Sequence, residues 1–296
     1  MHRCDGCGCA YLDPRPTPES VGRAYDRYFT HEAEGRKPPG GVMERAKRTV
    51  MNGYLNGNWG TSLSPASRFF GMHLPKSIKA LIDEGVMRNL PRPAGGRRVL
   101  DVGCGDGRFL SFARSAGWRI AGFDFDPKAV GIARSGGLDV RLGGFETVEP
   151  EGDGFDAITV SHVIEHVHDP RGLLADCHRL LKPGGYFWIE TPNIDSYGHS
   201  EFRSDWRGLE PPRHLQLLSW ALLRTMLDEA GFRHVAPACW RPEYMTVRCA
   251  SRAIERNLDP DRSKPALSDR IQCRFVESIN RIDHTRREFI TFQSTR

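Results

Sequence analysis

The chain has 296 residues, a formal net charge of +5, 39% hydrophobic residues and eight cysteines. That length holds one domain with appendages or two small ones. No run approaches about 18 consecutive apolar residues, so no membrane-spanning helix is expected. The N-terminal Met1-His2-Arg3-Cys4 lacks the apolar core of a signal peptide, and the scattered arginines carry no nucleic-acid-binding motif.

In chain order, Cys4-x-x-Cys7 is half of a zinc-ribbon spacing. A closed site needs four ligands; Cys9 is a candidate third and His2 or His31 a candidate fourth. The competing reading is a truncated knuckle with free thiols. The other cysteines (104, 177, 239, 249, 273) are scattered singly, which suits a reducing cytoplasm. Thr17 as N-cap and Pro18 at the first helical position predict a short helix over 17–29, carrying Tyr25, Tyr28 and Phe29 as a lid or as packing. Residues 31–74 read as a linker or flap, rich in Gly, Pro, Asn and charge over 31–64. A helix over 75–89 would present Ile78, Leu81, Ile82 and Val86 on one face.

Val99, Leu100 and Val102 form a short apolar run, the mark of a buried strand. Gly103, Gly105 and Gly107 then alternate, and Phe109, Leu110 and Phe112 open a helical pattern. Such a turn brings backbone close to a ligand, because no Cβ blocks the approach. A dinucleotide fingerprint would place its third glycine where Arg108 stands. A second strand over 118–123 ends at Asp124, placed to accept hydrogen bonds from ribose hydroxyls; Asp126 before Pro127 is the better helix cap. A third strand, 138–142, leads to Gly143-Gly144-Phe145. A fourth, 155–160, runs into Ser161-His162-Val163-Ile164-Glu165-His166. Asp169 caps a helix with Leu173, Leu174, Cys177, Leu180 and Leu181 on its core face. Lys182-Pro183-Gly184-Gly185 ends that helix and launches a fifth strand over 186–190. A long insertion over 194–218 contains Pro212-Arg213-His214 and is the kind of loop that usually serves function. A Ser219-capped helix, a sixth strand over 233–240, two polar-rich helices within 243–285 and an alternating strand over 288–295 complete the pattern. Those two helices carry Ile254 and Leu258, then Ile271, Phe275, Ile279 and Ile282. They would cover an acceptor site or form a homodimer surface.

The turn Val99–Gly107, the His162-x-x-Glu165-His166 segment and Leu181-x-Pro183-Gly184-Gly185 together resemble the class I S-adenosylmethionine (SAM)-dependent methyltransferases, in their ubiquinone-methyltransferase-like branch. In some members an N-terminal zinc ribbon precedes the fold, and Cys4–Pro16 resembles its second knuckle. The resemblance is strong over 95–235 and partial over 4–30. It implies a three-layer, Rossmann-like, seven-stranded, mostly parallel sheet with helices on both faces and a last antiparallel strand. The strand–helix alternation supports α/β by itself. The expected organisation is an N-terminal segment (1–30), a linker or flap (31–74), a SAM-binding core (75–242) and a helical excursion with a final strand (243–296).

The resemblance implies SAM as cofactor, held by Asp101, Gly103, Cys104, Gly105, Gly107, Asp124, Phe125, Phe145, Ser161 and His162. Gly144 stands where family members carry an acidic residue toward the adenine. The expected activity is methyl transfer to a small-molecule acceptor, O-methylation first, in the cytoplasm and without nucleic acid or membrane as partner. His162, Glu165 and His166 fall on one helical face if the segment coils. His166 is the first candidate general base, and His214 the second. The alternatives are a divalent-metal set of His162, Glu165, His166 and His214, zinc at the thiols, a non-catalytic SAM-binding or interaction module, and an NAD-dependent oxidoreductase, which Arg108 disfavours.

Overall fold

A computed structural model describes residues 1–25, 41–93, 95–149, 152–238, 243–260 and 267–296. In chain order the strands are β1 (His2–Arg3), β2 (Ala10–Tyr11), β3 (Arg98–Val102), β4 (Arg119–Asp124), β5 (Val140–Leu142), β6 (Phe155–Ser161), β7 (Leu181–Pro192), β8 (Gln216–Leu217), β9 (Arg233–Pro237) and β10 (Phe289–Thr295). The helices are α1 (Gly41–Trp59), α2 (Arg68–Met72), α3 (Lys76–Met87), α4 (Arg108–Ser115), α5 (Pro127–Ser135), α6 (Pro170–Leu180), α7 (Tyr197–Phe202), α8 (Trp220–Glu229), α9 (Tyr244–Glu255) and α10 (Leu267–Ile282).

Seven strands form one sheet in the order β5-β4-β3-β6-β7-β10-β9. β3 runs parallel to both β4 and β6, β4 parallel to β5, and β10 antiparallel to β9. This is the expected mostly parallel, Rossmann-like sheet with a last antiparallel strand. A second sheet, β1-β2-β8, is antiparallel. Among the described residues no helix is long and apolar enough to cross a membrane.

The chain divides into two compact units. The first comprises 27–160, 179–188 and Arg296, the second 1–26, 161–178 and 189–295. In the first, Val99, Leu100 and Val102 of β3 are buried, as parallel strands covered on both faces require. α4, α5, Met87 and Leu90 pack on that strand layer.

Here the structure departs from the expected flap. Residues 41–72 build α1 and α2, with Asn52, Tyr54, Leu55 and Trp59 buried. Trp59 Nε1 and the Tyr54 hydroxyl each donate to Asp83 at 2.7 Å, which ties α1 to α3. The charge and glycine content hid a helix whose buried contacts are polar as well as apolar. α3 packs Ile82 and Val86 of its expected face against the core. Ile78 is exposed, while Glu84 and Met87 are buried and Glu84 accepts from Trp188 Nε1 at 2.9 Å. The expected helix over 17–29 shrinks to a 3-10 turn, Val21–Tyr25; 26–29, with Tyr28 and Phe29, lie outside the described residues.

In the second unit, α6 starts as expected, with Asp169 Oδ1 accepting from Gly172 N at 2.9 Å. Ser219 caps α8 through Leu222 N at 3.1 Å. The apolar residues of the last helical stretch are not all buried. Leu258, Phe275 and Ile282 are exposed, and α10 instead buries Asp269, Cys273, Val276 and Asn280. The reason is a polar anchor: buried Arg248 of α9 pairs with Asp269 at 3.4 Å and with Glu201 of α7.

At the end of β3 the Asp101 carboxylate is 1% exposed and is met by Arg88, which follows α3. The Thr159 hydroxyl of β6 donates to the same oxygen at 2.8 Å. The Arg88 guanidinium lies 3.9 Å from the Phe109 ring centre and 5.1 Å from that of Trp188. Arg88→Met should cost about 3–5 kcal/mol by stranding the carboxylate, and Arg88→Met with Asp101→Asn should recover part of it. Urea denaturation checks this; a single-variant loss under about 1 kcal/mol would leave the pair incidental.

Candidate functional site

The first group of expected site residues gathers around the glycine turn of the first unit. Gly103, Gly105 and Gly107 all have positive φ, at 65°, 54° and 75°. L side chains rarely adopt that region, so the alternation is conformational as well as steric. A Cβ on Gly107 would stand 2.3 Å from Leu138 Cδ1 and 3.1 Å from Ala133 Cβ. Gly107 therefore provides the close packing that a dinucleotide turn assigns to its last glycine.

Asp124 closes β4 over this turn. Its Oδ2 accepts from Gly105 N at 2.8 Å and its Oδ1 from Asp126 N at 2.9 Å. Burial pushes its carboxyl above the usual range, against those two N–H groups. Each oxygen keeps a second lone pair. Asp126 takes the capping role, accepting from Lys128 N at 2.9 Å ahead of Pro127. Asp101 Oδ2 is buried without a hydrogen-bond donor, and burial raises its carboxyl despite Arg88. Cys104 places its thiol in the core, where burial pushes it up. Its backbone, with N–H bonded to Phe123 O at 3.0 Å, stays in the turn.

Phe145 starts a 3-10 turn and packs edge-on to Phe123 at 4.9 Å. Phe125 is 72% exposed, so it is a rim and not core. A Cβ on Gly144 would meet Phe125 Cζ at 3.0 Å and Glu146 Oε2 at 2.7 Å, and Gly144 N donates to Glu146 Oε1 at 2.7 Å. Glu146 thus folds back onto the Gly144 backbone. A Cβ-free turn, an orphan buried carboxylate oxygen and a strand-end carboxylate with spare lone pairs fit a ligand bearing an ammonium and a ribose.

The remaining expected residues belong to the second unit. His162 follows Ser161 at the end of β6, with φ 53° and its N–H on Glu190 O at 2.9 Å. Its ring lies 3.3 Å from both Glu165 Oε1 and Glu190 Oε1 and edge-on to Phe289 at 4.9 Å. Burial alone would push this imidazole down; the two carboxylates outweigh it and raise it to about 10. Glu190 was not among the expected site residues; an acid at the end of the fifth strand was its only signal. Glu165 is fully buried, with Oε2 accepting from the Thr191 hydroxyl at 2.9 Å. Burial would raise its carboxyl, but His162, His166 and His214 bring it to about 2.

His166 donates from Nδ1 to Arg213 O at 3.0 Å, so Nε2 carries the lone pair, 4.0 Å from Glu165 Oε1. Burial lowers its pKa, and nearby His214 adds to that against the attraction of Glu165. The two rings meet edge-on at 4.8 Å. His214 is buried, with Nδ1 on Gly208 O at 2.7 Å and Nε2 3.2 Å from Glu210 Oε2.

Glu165, His166 and His214 each offer one ligand atom within 4.8 Å of the others, and no second such group occurs among the described residues. Within the set, Glu165 Oε2 accepts from the Thr191 hydroxyl and His214 Nε2 faces Glu210, while Glu165 Oε1, 3.3 Å from His162 Nδ1, makes no hydrogen bond. His162 adds positive charge where the alternative ligand set wanted a donor. Cys4, Cys7 and Cys9 form no disulfide, and Cys7 Sγ lies 3.2 Å from Cys9 Sγ; His31 lies outside the described residues.

The family described as a methyltransferase domain matches residues 75–236, more than half of the 296. The chain belongs to that family. It is 40% identical over 105 residues to the ubiquinone biosynthesis O-methyltransferase of Xanthomonas oryzae pv. oryzae, covering 33% of this chain and 44% of that protein. A protein described as a probable SAM-dependent methyltransferase, from Mycolicibacterium smegmatis, is 32% identical over 151 residues, covering 50% and 57%. Both matches therefore stop short of two thirds of those relatives. A SAM-dependent methyltransferase structure from Archaeoglobus fulgidus aligns with a TM-score of 0.48 at 22% identity, covering 73% of this chain and 93% of that one.

The pairing of His162 with Glu165 sets a pH dependence. Glu165, lowered from 4.5, contributes stability present above about pH 4.5 and lost as pH falls toward 2. His162, raised from 6.5, contributes stability present below pH 6.5 and lost as pH rises through about 10. His162→Gln should therefore cost more stability at about pH 6 than at about pH 10. Urea melts at the two values read the difference; an equal cost at both would show that the imidazole is not charged in the fold.

Proposed function

We propose that the protein transfers a methyl group from SAM to an oxygen of a small-molecule acceptor, with His166 as general base. The observation that carries the cofactor reading is Asp124 pinned to the Gly105 N–H, a carboxylate oriented before any ligand arrives. In this reading the free lone pairs of Asp124 receive the ribose hydroxyls and Asp101 Oδ2 receives the ammonium. The backbone of Gly103, Cys104, Gly105 and Gly107 lets the ligand lie close, and Phe125 and Phe145 flank the adenine. Ser161 and His162, expected with them from the resemblance, follow β6 in the second unit.

When bound, SAM supplies a methyl group on a positively charged sulfur, ready for in-line displacement. Positioning contributes much of the rate, and proton removal by a placed base contributes about 10²–10⁴-fold. His166 suits that task because its Nδ1–H is committed to Arg213 O and burial favours its neutral form. Glu165 beside it stabilises the imidazolium formed when Nε2 takes the acceptor's proton. His214, with both nitrogens facing protein groups, supports the His166 ring instead. The naming of relatives as O-methyltransferases supports oxygen as the acceptor atom.

Calorimetric titration with S-adenosylhomocysteine, with NAD⁺ in comparison, tests the cofactor. S-adenosylhomocysteine alone should bind, and Asp124→Ala should weaken it about tenfold or more. No binding, or equal binding by the variant, would remove the reading. His166→Ala should lower kcat about 10²–10⁴-fold on a phenolic acceptor such as catechol, with S-adenosylhomocysteine affinity unchanged. Binding without turnover on any acceptor would favour the non-catalytic module. Chelation with EDTA should leave turnover unchanged; loss restored by a divalent ion would install the Glu165, His166 and His214 set as a metal site.

A further inference from the structure

The second unit holds a cavity of about 400 Å³ that the methyl-transfer reading does not use. It lies where the chain leaves β7, at Ile194 and Asp195, and is walled by Arg3, Ser200, Trp220 and Arg286 among others. The volume falls in the range of small-molecule sites, roughly 300–1,000 Å³.

Its charges are uneven. Arg3 forms an ion pair with Asp195, the one carboxylate among the lining residues. Arg286 forms no direct ion pair among the described residues, though the Asp283 carboxylate lies near enough to feel its charge: its Nη2 donates to the Ser200 hydroxyl at 3.0 Å, and its guanidinium lies 4.6 Å from the Tyr197 ring centre. Arg286 Nε is buried without an acceptor. An orphan guanidinium N–H costs free energy that an incoming anion recovers. The opposite character comes from Trp220, a half-buried ring held against Phe292 at 5.1 Å and His284 at 5.0 Å. A cation fork and a fixed aromatic ring in one small cavity select a flat molecule with a negative end.

We propose that this cavity binds a small aromatic anion, its carboxylate or phosphate on Arg286 and Arg3 and its ring on Trp220. The proposal stands apart from the cofactor reading, since none of these residues was assigned to SAM. Asp195 tunes the site by holding Arg3 and by repelling the same anion. That gives substitutions on this wall opposite signs, which a general loss of folding does not produce.

The probes are benzoate, phenyl phosphate, neutral benzamide and inorganic phosphate, titrated by ligand-observed NMR onto the full chain. Benzoate or phenyl phosphate should bind, and whichever binds tighter identifies the anion. Benzamide should bind about tenfold more weakly, or not at all. Arg286→Gln should weaken the anionic probe about tenfold, and Arg3→Gln, on an exposed side chain, should weaken it without endangering the fold. Asp195→Asn should tighten it. S-adenosylhomocysteine affinity should be unchanged in all three variants. The proposal is overturned if benzamide binds as well as benzoate, if Asp195→Asn weakens binding, or if both arginine variants leave it unchanged. Inorganic phosphate matching phenyl phosphate would overturn the aromatic part, and no binding by any probe would overturn the whole.

Discussion

A carboxylate has been taken out of water at the end of the central strand, and much of the first unit is arranged around that cost. Burial of an ion pair rarely adds net stability, because desolvation offsets the attraction; what it adds is direction. Arg88 must leave α3 in a left-handed conformation, φ 50°, to reach Asp101. Its guanidinium needs the Phe109 and Trp188 rings around it, and Thr159 must face the same oxygen. One interaction therefore fixes α3, α4, β3, β6 and β7 at the point where the glycine turn begins. It still leaves Asp101 Oδ2 without a donor. An unmet buried acceptor costs about 1–3 kcal/mol, and a ligand ammonium that meets it turns that cost into affinity.

The second unit solves a related problem by the opposite route. Glu165 and Glu190 are two buried carboxylates brought to one ring, His162. Without a cation they would repel, and one would have to hold a proton. His162 supplies the charge internally. Four residues on, His166 is pushed the other way by burial. Environments that drive two like groups apart separate their tasks: the ring tied between carboxylates is an anchor, and the ring kept neutral is the one able to accept a proton. In the His-x-x-Glu-His segment, the first histidine thus holds the acid in place for the second.

What was legible in the sequence was local. The three glycines, Asp126 before Pro127, Asp169 before Pro170 and Ser219 before Trp220 announce themselves within a few residues, because caps and turns are short-range chemistry. The sheet followed from the alternation of such units together with the family resemblance. The illegible parts are pairings across the chain. Arg88 meets Thr159 across 71 positions and Glu84 meets Trp188 across 104, and no periodicity marks either. α3 also buries Glu84 against Trp188 of a distant strand, and α10 buries Asp269 against Arg248 of α9. Apolar periodicity counts hydrophobic residues and is blind to a paired charge.

The N-terminal cysteine segment and the long insertion explain each other. Neither β1, β2 nor β8 exceeds two residues, far too short to stand alone. Together they make a sheet whose Ala10 and Leu217 pack with Ile194, Phe202, Trp206 and Val247. Leu12 N donates to Leu215 O at 2.9 Å, and His168 Nε2 meets Pro16 O at 2.9 Å, so the segment also braces the loop that carries His166. The insertion completes that brace. Leu215 N donates to Glu165 O at 2.8 Å, and Arg213 O receives His166 Nδ1. A ring oriented by a backbone carbonyl keeps its tautomer only as long as that carbonyl stays still. The Cys4-x-x-Cys7 spacing thus belongs to a hairpin whose structural consequence is felt at the histidine: it braces the insertion, and the insertion's Arg213 carbonyl sets which nitrogen of His166 bears the proton.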